Sequence, residues 1–136
     1  WGLHPGDSGK RPYTVVRAEG RGFHTHRCLV PATEFRHRSN GKDYSFRLAN
    51  GDWFYFAGIW RPATRDRPEA YAIITIESNR DIAPYHDRQM AVLRRDERVD
   101  WRDLKRSEDD VLRPLPPGSF RVSRLHQGRA QPMLVL

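Results

Sequence analysis

The chain has 136 residues, 24 Lys+Arg against 17 Asp+Glu for a net charge of +7, 38% hydrophobic residues and one cysteine. That length fits one domain on the usual scale of roughly 100 to 200 residues, and a single thiol excludes an internal disulfide framework or a cysteine-only zinc site. No apolar run approaches the roughly 20 residues of a membrane span or looks like a signal-peptide core, so a soluble protein in a reducing, cytoplasmic compartment is expected, without a membrane partner.

Residues 1–13, WGLHPGDSGKRPY, are rich in Gly, Pro and Ser and read as loop. The chain starts abruptly at Trp1, so an N-terminal segment is expected to be missing. From Cys28 onward short strands dominate. Residues 27–35 (RCLVPATEF), 44–48 (YSFRL), 53–60 (WFYFAGIW) and 71–77 (YAIITIE) are rich in β-branched and aromatic residues. Turn chemistry at 39–43, 50–52 and 62–68 separates them, which predicts an antiparallel meander. Residues 90–93, 120–122 and 133–136 are further candidate strands. Helix signals are fewer. Residues 78–83 predict one or two turns before Pro84, residues 95–104 place Val99 and Leu104 near one face with Trp101 between, and Ser107 with Asp110 resembles a shortened capping box ahead of Pro114. The expected fold class is α+β, with a twisted antiparallel sheet or open β-barrel core and a few short helices.

The basic residues are informative in kind and in place. Of the 24, 21 are arginine, whose planar fork matches phosphate oxygens bidentately; an arginine-rich genome explains the same bias. Seven basic residues between Lys10 and Arg38 face only Glu19 and Glu34, whereas the chain from Arg67 onward is close to neutral. A localised basic surface points to a polyanionic partner.

His86, in the run Ala83-Pro84-Tyr85-His86-Asp87-Arg88, lies on a proline-stiffened loop beside an acid and a guanidinium, where an imidazole can serve general acid–base chemistry or be an ordinary loop histidine. Arg88 is then a phosphate contact or one surface arginine among many. Cys28 opens an apolar run and reads as a small core residue rather than a nucleophile. His24 and His26, with His37, form at best an incomplete metal site, and none is assigned. Glu34 and His37, three apart on one strand, would point to opposite faces. Strand alternation sends Trp53, Tyr55 and Ala57 one way and Phe54, Phe56 and Gly58 the other, so one face is core and the other is a candidate stacking surface for unpaired bases.

Several segments together resemble the SOS-response-associated peptidase (SRAP) family: Trp1-Gly2-Leu3-His4-Pro5, Val15-Val16-Arg17-Ala18-Glu19, Arg27-Cys28-Leu29-Val30-Pro31-Ala32, Phe56-Ala57-Gly58-Ile59-Trp60 and Ala83-Pro84-Tyr85-His86-Asp87-Arg88-Gln89-Met90. The resemblance covers essentially the whole chain, 1–136, as one SRAP-like domain. It implies a DNA-damage-response protein that holds single-stranded DNA at abasic sites. Such proteins crosslink to the ring-opened sugar through an N-terminal cysteine, whose α-amine and thiol together close a thiazolidine, and remove their own leading residue as a peptidase. It further implies His86 as the catalytic histidine, Arg17 and Arg88 with Trp1 as DNA contacts, no cofactor or metal, a monomer, and a cytoplasmic location, nucleoid-associated if bacterial.

The pattern is incomplete. Val15 stands where the family has asparagine, His37 aligns with the family glutamate, and the nucleophilic cysteine would lie upstream of Trp1, Cys28 being the wrong one. The segment between Glu19 and Arg27 is also shorter than the family usually shows. Impaired crosslinking is therefore expected, and a non-catalytic nucleic-acid- or partner-binding module on the same fold is the alternative. A Cys28/His86 thiol hydrolase is a third reading, which requires an accessible Cys28.

Overall fold

The structure, a computed structural model, describes residues 2–3 and 12–126. Trp1 and the candidate strand at 133–136 lie outside the described residues. Among the described residues there are eight strands: β1 (Val15–Arg17), β2 (Arg27–Ala32), β3 (Phe35–Ser39), β4 (Lys42–Leu48), β5 (Phe54–Arg61), β6 (Ala70–Glu77), β7 (Arg88–Met90) and β8 (Phe120–Leu125). A turn of 3-10 helix at Arg95–Glu97 leads into α1 (Arg98–Arg102), and α2 (Glu108–Val111) follows.

The strands form two sheets. One runs β1-β6-β5-β2 with β7 also paired to β6, and the other runs β3-β4-β8. The expected meander is therefore replaced by two hairpins in different sheets, joined by long-range pairings. β1 lies parallel to β6, and β8 returns antiparallel to β4. The predicted strand 27–35 breaks at Thr33–Glu34 into β2 and β3. Pro31, which cannot donate to a ladder, suits β2 to the sheet edge beside β5. The chain then turns and carries Phe35 into the second sheet. The β3–β4 hairpin closes on Asn40 and Gly41, both at positive φ (50° and 74°), the conformation that a two-residue turn of matching twist requires.

Alternation along β6 divides the interior. Ala72, Ile74 and Ile76 join one core with Val16, Ala57 and Trp101, and Ile73 joins a second with Phe35, Phe46, Phe54, Phe56 and Phe120. The larger sheet is thus covered on both faces, and each fully buried large apolar side chain contributes about 1.5–3 kcal/mol. Gly58 lets β2 approach β5, since a Cβ there would lie 2.9 Å from Cys28 Sγ.

Residues 80–85 form hydrogen-bonded turns where one or two turns were expected at 78–83; Asn79 Oδ1 accepts from the amides of Asp81 and Ile82 and the chain follows that side chain. One helix expectation changes. In α1 the buried residue is Trp101, whereas Val99 and Leu104 are exposed. Arg27 explains the choice. Its guanidinium lies 4.2 Å from the Trp101 ring centroid, pairs with Glu108 at 3.2 Å and donates to the carbonyls of Phe23 and Arg106. One basic residue of the N-terminal half is thereby spent on the core. Ser107 precedes α2 in extended conformation but makes no side-chain cap bond.

Candidate functional site

The loop between β6 and β7 is shaped by buried polar groups. Gln89, almost wholly buried, accepts the Asn79 amide through Oε1 at 2.8 Å, and Ser78 Oγ donates to the His86 carbonyl at 2.5 Å. Asp81 pins the far side by accepting from the amides of Gly118 and Phe120. Burial acts to raise the Asp81 carboxyl, but these bonds hold it below its ordinary value. His86 is fixed at the end of this loop. Its backbone amide donates to the Ile82 carbonyl, and its Nδ1 lies 3.0 Å from both the amide nitrogen and the carbonyl oxygen of Arg88. The ring is oriented but not enclosed, with 40% of the side chain exposed.

His37 meets it from the other sheet. The two imidazoles stack with centroids 4.5 Å apart and planes 21° from parallel. Phe35 and Phe46 flank His37 edge-on at 5.7 and 5.6 Å. Burial, and then the neighbouring His86, lower the His37 pKa from 6.5 to about 4, so the ring is neutral at physiological pH. Its Nε2 is buried and has no hydrogen-bond partner. Glu34 does not replace the absent carboxylate. It sits before β3, accepts from the Ser45 hydroxyl and pairs with Arg36 and Arg47, and the Ser45 bond holds its pKa down.

Arg88 lies at the start of β7, beside Glu77 of β6. It forms a two-pronged ion pair with Glu19 at 2.7 and 2.9 Å and donates to the carbonyl and hydroxyl of Thr75 at 2.8 and 3.2 Å. The Arg88 bond lowers the Glu19 pKa. The guanidinium is only 17% exposed, against 58% for the carboxylate, so this is a half-sheltered latch with its acidic side open to water. Arg17 sits directly across from Thr75 in the β1–β6 register, and Val15 across from Ile73. Both are exposed while Val16 between them is buried, so Val15 and Arg17 share the face that carries Thr75.

The structure thus gathers Arg17 and Arg88 around Thr75, seats His86 two residues before Arg88, and adds two residues that the sequence did not single out as site groups, Glu19 and Thr75. The Glu19–Arg88 pair spans 69 positions, and the parallel β1–β6 and antiparallel β6–β7 pairings together bring it about. His24 and His26 stay away from His37: both are exposed, and His26 packs edge-on against Trp60 at 5.0 Å. Cys28 lies in β2 opposite Gly58, and burial pushes its thiol up to about 11, so it remains protonated at neutral pH. The Cys28/His86 thiol reading therefore lacks a thiolate. Among the described residues no three His, Cys, Asp or Glu side chains cluster to hold a metal ion.

The profile of the SOS response associated peptidase (SRAP) family matches residues 20–127. The chain belongs to the SRAP family. Solved structures agree at the level of fold. A protein from Bacteroides thetaiotaomicron superposes with a TM-score of 0.69 at 21% identity, covering 83% of this chain and 58% of that one. A protein from Bordetella bronchiseptica gives 0.63 at 20% identity, covering 74% and 55%. A phage-related protein from the same organism gives 0.71 at 21% identity, covering 93% and 70%. This SRAP chain therefore spans less than two thirds of the length of the first two. No curated protein matches it. No helix among the described residues is long and apolar enough to cross a membrane.

Proposed function

We propose that this SRAP domain binds single-stranded DNA, at abasic sites above all, on the surface that carries His86, Arg17 and Arg88, and that it does so with little or no covalent crosslinking or self-cleavage. The observation that carries the reading is the His37–His86 stack. The family pattern places a glutamate at position 37, and a carboxylate there would accept a proton or balance an imidazolium. A neutral imidazole with a pKa of about 4 does neither at physiological pH. Val15 adds to the deficit, because its exposed side chain cannot hydrogen-bond where the family has asparagine.

Binding itself needs less than catalysis does. Arg17 is exposed, and Arg88 is oriented toward the same face by Thr75 and Glu19. A phosphate entering the site competes with Glu19 for the Arg88 fork, exchanging one anionic partner for another. Trp1 would extend the contact, and His86 would orient the sugar. The reading implies one domain acting as a monomer, and binding that weakens with salt as counterions are released.

The test is a titration of labelled abasic and intact single-stranded oligonucleotides by fluorescence anisotropy at several salt concentrations. Preference for the abasic strand, a salt-dependent affinity, and weaker binding with a flatter salt slope in Arg17→Ala support the proposal. Equal affinity for abasic and intact strands with no effect of Arg17→Ala or His86→Ala contradicts it.

A further inference from the structure

An opening lies apart from the His37–His86 pair, at the start of β5. It has a volume of about 320 Å³, and Asn50, Asp52, Trp53, Arg94, Arg95 and Arg98 are among the residues that line it. None of the residues lining it belongs to the set around His86 and Arg88. This volume is at the lower end of small-ligand pockets, ~300–1,000 Å³, and suits one nucleotide rather than a larger cofactor.

The chemistry of the walls is specific. Trp53 precedes β5 and keeps 52% of its surface exposed, because strand alternation buries Phe54 and turns Trp53 outward with Tyr55. The two rings meet edge-on at 5.0 Å, which fixes the indole plane. The Arg98 guanidinium lies 5.6 Å from the Trp53 centroid and 5.2 Å from that of Tyr55. Those contacts hold it in place without neutralising it, and its Nε is buried with no hydrogen-bond partner. Arg94 is tied back, donating to the carbonyls of Arg113 and Pro114. Three guanidinium groups therefore face a single lining carboxylate, that of Asp52. An exposed, braced indole offers a π-face, and an adjacent cationic wall offers a place for an anion.

We infer that this opening is a nucleotide subsite, in which a nucleobase stacks on Trp53 and the attached phosphate is held by Arg98 and Arg95. The ligand class is a planar aromatic base carrying a phosphate, which a free mononucleotide or one residue of a single strand both supply. Base–aromatic stacking tolerates any base, so little sequence preference is expected. The subsite rests on its own residues and stands whether or not the site at His86 acts as proposed.

Calorimetric titration of the full chain with dAMP, thymidine, inorganic phosphate and a short oligothymidylate tests it. dAMP should bind more tightly than thymidine or phosphate alone, and Trp53→Ala and Arg98→Gln should each weaken it about tenfold. The loss in Trp53→Ala and Arg98→Gln, neither residue belonging to the set around His86 and Arg88, separates this subsite from the other one. If dAMP binds no better than phosphate but the oligothymidylate loses affinity about tenfold in both variants, the nucleotide comes from a strand. If Trp53→Ala and Arg98→Gln, with wild-type melting temperatures, bind both probes as the parent does, the inference is wrong.

Discussion

Acid should unfold this protein earlier than its carboxylates require, and His37 is the reason. In the unfolded chain its imidazole takes up a proton near 6.5, but in the folded protein only near 4. Between those values the unfolded state binds more protons, so this contribution to stability is complete above pH 6.5 and is lost as the pH falls toward 4. A gap of roughly 2.5 pH units at about 1.4 kcal/mol each sets a ceiling of about 3.5 kcal/mol. Because the ring is only half-buried, screening by water reduces the expected loss to about 1–2 kcal/mol. For a chain of this size that corresponds to roughly 4–10 °C in melting temperature between pH 7 and 4.5. Glu19, Glu34 and Glu108 have lowered pKa values, so their stabilising contributions are present above their ordinary value of 4.5 and fade only below it. The interval from 6.5 to about 5 is thus governed by His37. The perturbation is His37→Phe, which keeps the packing against Phe35, Phe46 and His86 and forfeits no bond, since Nε2 has none. Melting followed by circular dichroism at half-unit pH steps should show the variant nearly flat between pH 7 and 5 while the parent declines. A variant that declines in parallel with the parent refutes the argument.

The other predictions concern the latch, the core and the thiol. Glu19→Gln removes the competitor for the Arg88 fork. It should tighten single-strand binding and steepen the salt slope by roughly 0.7, the value of one phosphate contact, at a stability cost of no more than about 1 kcal/mol because Glu19 is largely exposed. Arg27→Ala leaves Glu108 without its ionic partner and uncovers Trp101, so urea denaturation should show a loss of about 3–5 kcal/mol. Gly58→Ala forces a methyl against Cys28 Sγ and the Ala72 carbonyl and should cost about 1–3 kcal/mol in the same assay. Cys28 should react with iodoacetamide at pH 7.5 far more slowly than a free thiol, in keeping with its pKa of about 11; alkylation as fast as that of free cysteine would count against the burial described.

Much of the fold was legible because its signals are local. The aromatic and β-branched runs became β4, β5 and β6 nearly as expected, and the Asn40-Gly41 turn predicted its own hairpin. Pairing between sheets was not legible. Nothing in residues 27–35 announces that two strands diverge at Thr33–Glu34. In α1 the helical spacing favoured Val99 and Leu104, but Trp101 is buried because Arg27, 74 positions away, covers it. The site shows the same division. His86, Arg17 and Arg88 stood out in their motifs, and position 37 stood out as a departure. That His37 and His86 touch, and that Glu19 already occupies the Arg88 fork, depends on contacts between distant strands.

The central claim is that this SRAP domain holds abasic single strands without efficiently joining to them. It is tested most directly by incubating the full-length protein with a labelled abasic oligonucleotide and measuring, from one sample, the fraction retained in native gels and the fraction still attached after denaturation. Substantial native retention that falls with salt, with only a trace surviving denaturation, is the predicted result. A denaturation-stable adduct in high yield, or no native retention at low salt, would contradict it.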